Sequence, residues 1–185
     1  MAEIDALGKE LKEFIVSVSW SHKYLISQFD LDCRNARRLR HAKVLFSVVA
    51  SGGLIGLVSL FSKQEQELIR NILTGISLVA STVVTTLESV NKASNLEERA
   101  DQCRSLANDY CDLRDDGKNL FYRLKSGEDI NILKHEFTAL REKRRLCNRA
   151  KPSVSRKAEL LTNKKLKDNK DDNYQDDYKM LGLEE

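Results

Sequence analysis

From residue 4 to residue 29, apolar side chains recur every three or four positions: Ile4, Leu7, Leu11, Phe14, Ile15, Val18, Leu25 and Phe29. That spacing keeps one helix face apolar, and it predicts an amphipathic helix over residues 4–33. The pattern then changes. Residues 44–62 (VLFSVVASGGLIGLVSLFS) contain no charged side chain and no polar stripe. As a helix they would extend about 28 Å, close to the ~30 Å hydrocarbon core of a bilayer. With no Pro or Gly in residues 9–51, the first helix either runs straight into this segment or bends near residues 30–34. Residues 71–87 form a second uncharged run, extendable through Leu68 and Ile69. Six of its residues are Ser or Thr. Their hydroxyls can bond the carbonyl one turn back, so lipid tolerates them. A short polar link joins the two runs, which makes them antiparallel neighbours.

The helical period returns afterwards. Leu96, Ala100, Cys103, Ala107, Tyr110 and Leu113, then Leu120, Phe121 and Leu124, form an apolar face. Gly117 is expected to interrupt this helix and Gly127 to end it. Residues 129–149 predict another helix, with Leu133, Phe137, Leu140 and Cys147 inward and Pro152 closing it. From Ala158 onward the chain is rich in Lys, Asp and Asn, and a poorly ordered tail is expected. Within it, Tyr174, Tyr178, Met180 and Leu181 suggest a short docking peptide.

Composition alone suggests something different. With 32% charged residues and a mean hydropathy of -0.46, the averages describe a soluble helical domain. Only two basic and two acidic residues fall within residues 44–87, however, out of 31 and 28 in the chain. The average therefore conceals a nearly uncharged hairpin between two highly charged portions. One Pro and eight Gly argue against a turn-rich β fold. The net charge of +3 implies no large basic field, so no direct nucleic-acid binding is expected.

Arg34, Arg37, Arg38, Arg40 and Lys43 precede the first uncharged segment. The positive-inside rule then puts both termini in the cytoplasm and the short loop outside. Cys33, Cys103, Cys111 and Cys147 all fall on the reducing side. The expected fold is an all-α membrane protein, a two-span hairpin with flanking cytosolic helices. Its parts are an N-terminal cytosolic helix (1–43), a first span (44–62), an external loop (63–67) and a second span (68–87). A cytosolic helical region (88–150) and a charged flexible tail (151–185) follow.

Candidate chemistry is sparse. There is no glycine-rich phosphate loop and no nucleophile elbow. His22, His41 and His135 are far apart, and no two cysteines form a C-x-x-C pair. No catalytic, cofactor-binding or metal residue is expected, and an enzyme is the least supported class. The run from Arg141 to Arg145 reads either as a solvated face or as a contact for anionic lipid or nucleic acid.

Three constellations remain. Gly52 and Gly56 form a GxxxG pair that, with Ser59, makes a small-residue face. Packing within the hairpin is the preferred reading over packing between subunits. Trp20 and Tyr24 lie one turn apart, about 20 residues before the span, and are expected to pack on another cytosolic helix. Ala100, Cys103 and Tyr110 share that packing role. Thr74, Ser77, Ser81, Thr85 and Glu88 follow one another at three or four residues, a polar stripe along an apolar helix. Such a stripe either serves helix packing or lines a water-filled pore shared by several copies.

The arrangement resembles the SLATT family of two-span effector domains associated with bacterial nucleotide-signalling and reverse-transcriptase defence systems. Three parts carry the likeness, over about residues 14–150. They are Trp20 and Lys23 upstream of the basic segment at residues 33–39, the tight hairpin, and the Arg99-Ala100 helix (residues 95–103, with Ala107 and Leu113) after the second span. The chain departs from the family pattern after Asn148. The resemblance implies a homo-oligomeric effector of anti-phage defence that forms a pore or disrupts the inner membrane, causing abortive infection. It also implies a sensor partner, such as a nucleotide cyclase or reverse transcriptase encoded nearby. The alternatives are a non-conducting membrane scaffold or regulatory subunit, and a soluble helical adaptor.

Overall fold

The computed structural model describes the backbone of residues 2–60 and 67–167, and the side chains of residues 3–53, 55 and 69–165. The proposed 63–67 loop and the docking peptide at Tyr174, Tyr178, Met180 and Leu181 lie outside the described residues or at their margin. The described chain is helical: α1 (Ala2–Leu60), α2 (Glu67–Ser94), α3 (Leu96–Lys125), α4 (Ile130–Ala150) and α5 (Arg156–Lys167). No strand occurs among the described residues. The predicted helix and the first apolar segment are one continuous α1, with no break at residues 30–34.

Two compact units divide the chain. The first comprises Met1–Leu31 and Arg99–Glu185. Its core joins Leu11, Phe14, Ile15, Val18 and Leu25 of α1 to Cys103, Tyr110, Leu113 and Phe121 of α3. Leu133, Phe137 and Leu140 of α4 complete it. Phe14 and Phe137 meet edge to face, with ring centroids 5.5 Å apart. α3 runs unbroken through Gly117, contrary to the expected interruption. A Cβ there would come within 3.1 Å of Ile15 and 3.3 Å of Phe14. The glycine therefore makes room for neighbouring side chains, which offsets its low helix propensity.

The end of α3 is built as the pattern predicts. Gly127 has φ +84, the left-handed conformation that favours glycine. Its N–H donates to the Leu124 carbonyl at 3.2 Å, and the Glu128 N–H donates to the Arg123 carbonyl at 3.3 Å. These are the two bonds of a Schellman cap. The hydrophobic contact that often accompanies this cap is replaced by an ion pair. The Arg123 guanidinium donates to Glu128 at 2.6 Å and to Glu136 at 2.6 Å, holding both carboxyls below their usual range. Asp129 then caps α4, accepting from the Asn131 N–H at 2.9 Å.

Part of the expected flexible tail is ordered, because residues 156–167 form α5. Ser155 caps it, accepting from the Ala158 N–H at 3.3 Å, while its own N–H donates to buried Gln28 at 2.8 Å. Ala158 and Thr162, one turn apart, are both buried against α1. The lysine-rich composition of this segment masks that two-residue face.

The second unit is Asp32–Glu98. Here α1 and α2 lie side by side and antiparallel: Arg40 pairs with Glu97, Lys43 with Glu88, and Gly53 lies against Ser77. Its interior is thin: between the buried Asp32 and Leu96 at its ends, the buried residues are the small Ala36, Gly53, Ser77 and Ala80. Many of its large apolar side chains point outward. Leu45, Val48 and Ile55 on α1 and Leu78 and Val79 on α2 are all more than 60% exposed. α2 gives way to α3 at Asn95, whose φ of +42 breaks the helix at one residue. Asparagine tolerates this conformation better than most residues.

Candidate functional site

The second unit inverts the usual arrangement of a soluble helical pair. Among the described residues one stretch, Ile69–Lys125, which passes through the turn at Asn95, contains a helix long and apolar enough to cross a membrane. Its most apolar 18 residues have mean hydropathy 1.4, and only 11% of them are buried. A core helix of a soluble protein would be mostly covered. Exposed apolar surface of this extent requires another apolar phase or partner.

On this helix the structure separates the five stripe residues. Thr74, Ser81 and Thr85 are exposed. Thr74 donates to the Arg70 carbonyl at 2.8 Å and Thr85 to the Ser81 carbonyl at 3.0 Å. The Thr74 and Thr85 hydroxyls are thus satisfied without water and retain lone pairs that could accept from it. Ser77 differs from these three. It is 5% exposed, and its buried Oγ has no hydrogen-bond partner. It sits against Gly53 of α1, where an added Cβ would lie 2.0 Å from Oγ.

Within the hairpin the glycine that meets α2 is not the expected Gly52. A Cβ on Gly52 would meet nothing within 4 Å, so Gly52 points away from α2. At ~100° per residue, Gly53 is turned toward α2 instead. The glycine spacing marks a small-residue face, but the direction of the partner helix decides which glycine is used. Gly56 and Ser59 belong to α1 by their backbone, and their side-chain surroundings lie outside the described residues.

At the opposite end of the pair, Glu88 accepts from the Lys43 ammonium at 2.6 Å, and Glu97 accepts from Arg40 at 2.5 Å. The hydrogen bond from Lys43 holds the Glu88 carboxyl below its usual range. The two pairs flank a cavity of about 250 Å³ lined by Ala36, Leu39, Leu87 and Asn91 among others. All four charges are well exposed, so these pairs act as weak, salt-sensitive ties.

The residues predicted for cytosolic packing come together in the first unit. Trp20 and Tyr24 have ring centroids 5.7 Å apart. The Tyr24 hydroxyl donates to Asn163 of α5 at 3.3 Å, and the Lys151 ammonium lies 6.0 Å from its ring. Ala100, Cys103 and Tyr110 are buried along α3. The Tyr110 hydroxyl donates to Asn148 at 2.5 Å, and burial pushes its phenol up to about 12. The run from Arg141 to Arg145 is engaged within the unit. Arg141 pairs with Glu10, Lys143 with Asp116 and Arg145 with Glu142. Among the described residues, no cluster of His, Cys, Asp and Glu is placed to hold a metal ion.

Sequence reasoning misses two functional contacts. Gly53 opposite Ser77 is signalled only by the Gly-Gly dipeptide. The docking of α5 through Gln28, Ser27 and Thr162 is signalled only by Ser155 and the Ala158–Thr162 spacing.

Neither the curated proteins nor the solved structures include a match to the chain. A family model, described as the SMODS and SLOG-associating 2TM effector domain family 4, matches residues 7–177. That span covers most of α1 and all of α2 to α5, continuing past Asn148, the expected point of departure from the family pattern, and it places the chain in the SLATT family of two-transmembrane effector domains.

Proposed function

We propose that the protein is the membrane effector of a bacterial anti-phage defence system. In this reading α1 and α2 cross the inner membrane as a two-span hairpin with both termini cytoplasmic. Several copies assemble when a sensor partner, such as a nucleotide cyclase or reverse transcriptase, triggers them. Their α2 helices then face a shared lumen, the membrane loses its integrity, and the infected cell is lost. The chain acts without catalysing a reaction.

The observation that carries this reading is the exposed line of Thr74, Ser81 and Thr85 on a largely apolar, uncovered helix, which exposes Thr82 and Thr86 on an adjoining line. In lipid the Thr74 and Thr85 hydroxyls are satisfied by their own backbone; around a lumen the hydroxyls of Thr74, Ser81 and Thr85 all meet water. Family membership supports the effector role. The described arrangement fits a closed state, because Ser77 is turned into α1 and Glu88 is held by Lys43. Opening requires a trigger that binds the open arrangement better than the closed one.

The test is a triple variant, Thr74→Leu, Ser81→Leu and Thr85→Leu, expressed with the triggering system and a membrane-potential dye. Loss of depolarisation is expected, with the protein still resisting carbonate extraction. Full depolarisation by the triple variant would remove this stripe as the conduit. A wild-type chain that inserts and never depolarises cells would be a scaffold.

A further inference from the structure

α1 carries a second surface, on the side turned away from α2. At ~100° per residue, Arg34, Arg37, Arg38 and His41 fall within one arc, and Leu45, Val48 and Ile55 continue it along the helix. All seven are exposed. The face is therefore basic at one end and apolar at the other. No acidic residue occurs between Asp32 and Glu65, so nothing on this stretch of α1 neutralises it.

The charges on this arc differ from the other cations nearby. Arg40 and Lys43 are turned toward α2 and paired with Glu97 and Glu88. Arg141, Lys143 and Arg145 each have an acidic partner. Among the described residues, Arg34, Arg37 and Arg38 make no ion pair. Three guanidiniums thus share one exposed face with no internal counter-charge, which leaves their donors open to an external anion.

Spacing along the helix identifies that anion. Arg38 lies six residues, or ~9 Å, before Val44, and Arg34 ~15 Å before it. The headgroup layer adds only ~5–8 Å on each side of a ~30 Å hydrocarbon core, so the backbone of these arginines lies at or just beyond its outer edge and their long side chains span the remaining distance to the phosphates. We propose that Arg34, Arg37 and Arg38 form a binding belt for anionic phospholipid headgroups where α1 enters the bilayer. The inference rests on the membrane-spanning reading. The guanidinium fork suits a phosphodiester, to which it can donate two bonds. The belt fixes the depth and rotation of α1, so that Gly53 keeps facing α2 while Leu45, Val48 and Ile55 face lipid.

The full-length protein is reconstituted in phosphatidylcholine vesicles containing one-third phosphatidylglycerol. Spin-labelled phosphatidylglycerol and phosphatidylcholine report which lipid the protein retains. The wild type is expected to prefer phosphatidylglycerol by on the order of tenfold at low salt, falling as salt is raised. Arg34→Gln, Arg37→Gln and Arg38→Gln together remove the preference. Arg141→Gln, Lys143→Gln and Arg145→Gln, which remove the same charge elsewhere, leave it intact. Equal loss in both triple variants would overturn the proposal, as would a wild type with no preference. Displacement of the lipid by soluble glycerol phosphate or by single-stranded RNA would overturn it too, by identifying a different occupant. Carbonate extraction separates the two layers of the argument. A released wild-type chain defeats the membrane reading, whereas a retained chain without lipid preference defeats only the belt.

Discussion

A Cβ on Gly53 would lie 2.0 Å from Ser77 Oγ and 3.3 Å from Ser77 Cβ, so these two residues set a separation of α1 and α2 that only glycine permits. The hydroxyl can rotate away from an added methyl, but the Cβ contact remains tight. Gly53→Ala is expected to destabilise the hairpin by about 1–3 kcal/mol, the usual range for overpacking. Ser77→Gly in the same chain removes both obstacles and should restore most of the loss. A double-mutant cycle on thermal unfolding in detergent measures the coupling. Strict additivity would mean that the two residues do not touch. Ser77→Ala alone should be neutral or stabilising, because it removes a buried hydroxyl with no partner.

His22 supplies a pH test of the first unit. Burial first, and then the positive charge of Arg114, lower its imidazole from an ordinary value of 6.5 to about 4. Asp115 opposes the shift and Lys23 reinforces it. The folded protein keeps His22 neutral down to about pH 4, whereas the unfolded chain takes up the proton near pH 6.5. The unfolded state therefore binds more protons between these values, and stability falls as pH drops from 6.5 toward 4. Thermal unfolding across that window should show the decline, and His22→Gln should flatten it. Titration of His22 near 6.5 by NMR would show that it is not shielded as described.

These contacts show what periodicity conveys and what it leaves open. The spacing of Leu11, Phe14, Ile15 and Val18 identifies a buried face because burial and a three-or-four period are the same geometric fact. Gly127 is legible as a stop because left-handed backbone favours glycine. Gly117 has the same identity and the opposite role, because its neighbours are Ile15 and Phe14, about a hundred residues away in sequence. Gly52 and Gly53 are separated only by phase around α1, and phase depends on where α2 lies. The Thr74–Glu88 stripe is legible as a line of polar residues. Its division into exposed Thr74, Ser81 and Thr85 and buried Ser77 requires the α1 backbone beside it.

Arg123 joins the end of α3 to α4, and its partners predict acid sensitivity. Hydrogen bonds from Arg123 lower the carboxyls of Glu128 and Glu136 below their ordinary value. A depressed carboxyl contributes stability that is fully present above its unfolded value, about 4.3. That contribution is lost as pH falls through the folded value. Arg123→Gln should therefore lower the melting temperature by a constant amount between pH 7 and pH 5, as ~4.3 is still below this range. The gap to wild type should then close on further acidification. Arg123→Lys should rescue only part of the loss, because an ammonium cannot reproduce the fork that spans two carboxylates. A gap that persists unchanged at low pH would assign the effect to packing rather than charge.

The docking of α5 on α1 yields the sharpest structural prediction, because it depends on two small side chains. Ala158 is 0% exposed and Thr162 is 1% exposed. The Thr162 hydroxyl lies 2.7 Å from Ser27 Oγ and 2.9 Å from the Ala158 carbonyl, so its proton and a lone pair are both used. Lys165 adds only an exposed ion pair to Asp30 at 3.6 Å. Ala158→Leu forces three extra carbons into a filled contact and should cost about 1–3 kcal/mol. Thr162→Val keeps the shape, but it leaves Ser27 short of a partner and should cost about 1 kcal/mol. Lys165→Gln should cost little, as exposed pairs are worth ~0–1 kcal/mol. Limited proteolysis between Pro152 and α5 reads the order directly. Cleavage should accelerate most in Ala158→Leu, less in Thr162→Val and least in Lys165→Gln. If Lys165→Gln released α5 as readily as Ala158→Leu, charge would hold this helix in place of the buried two-residue face.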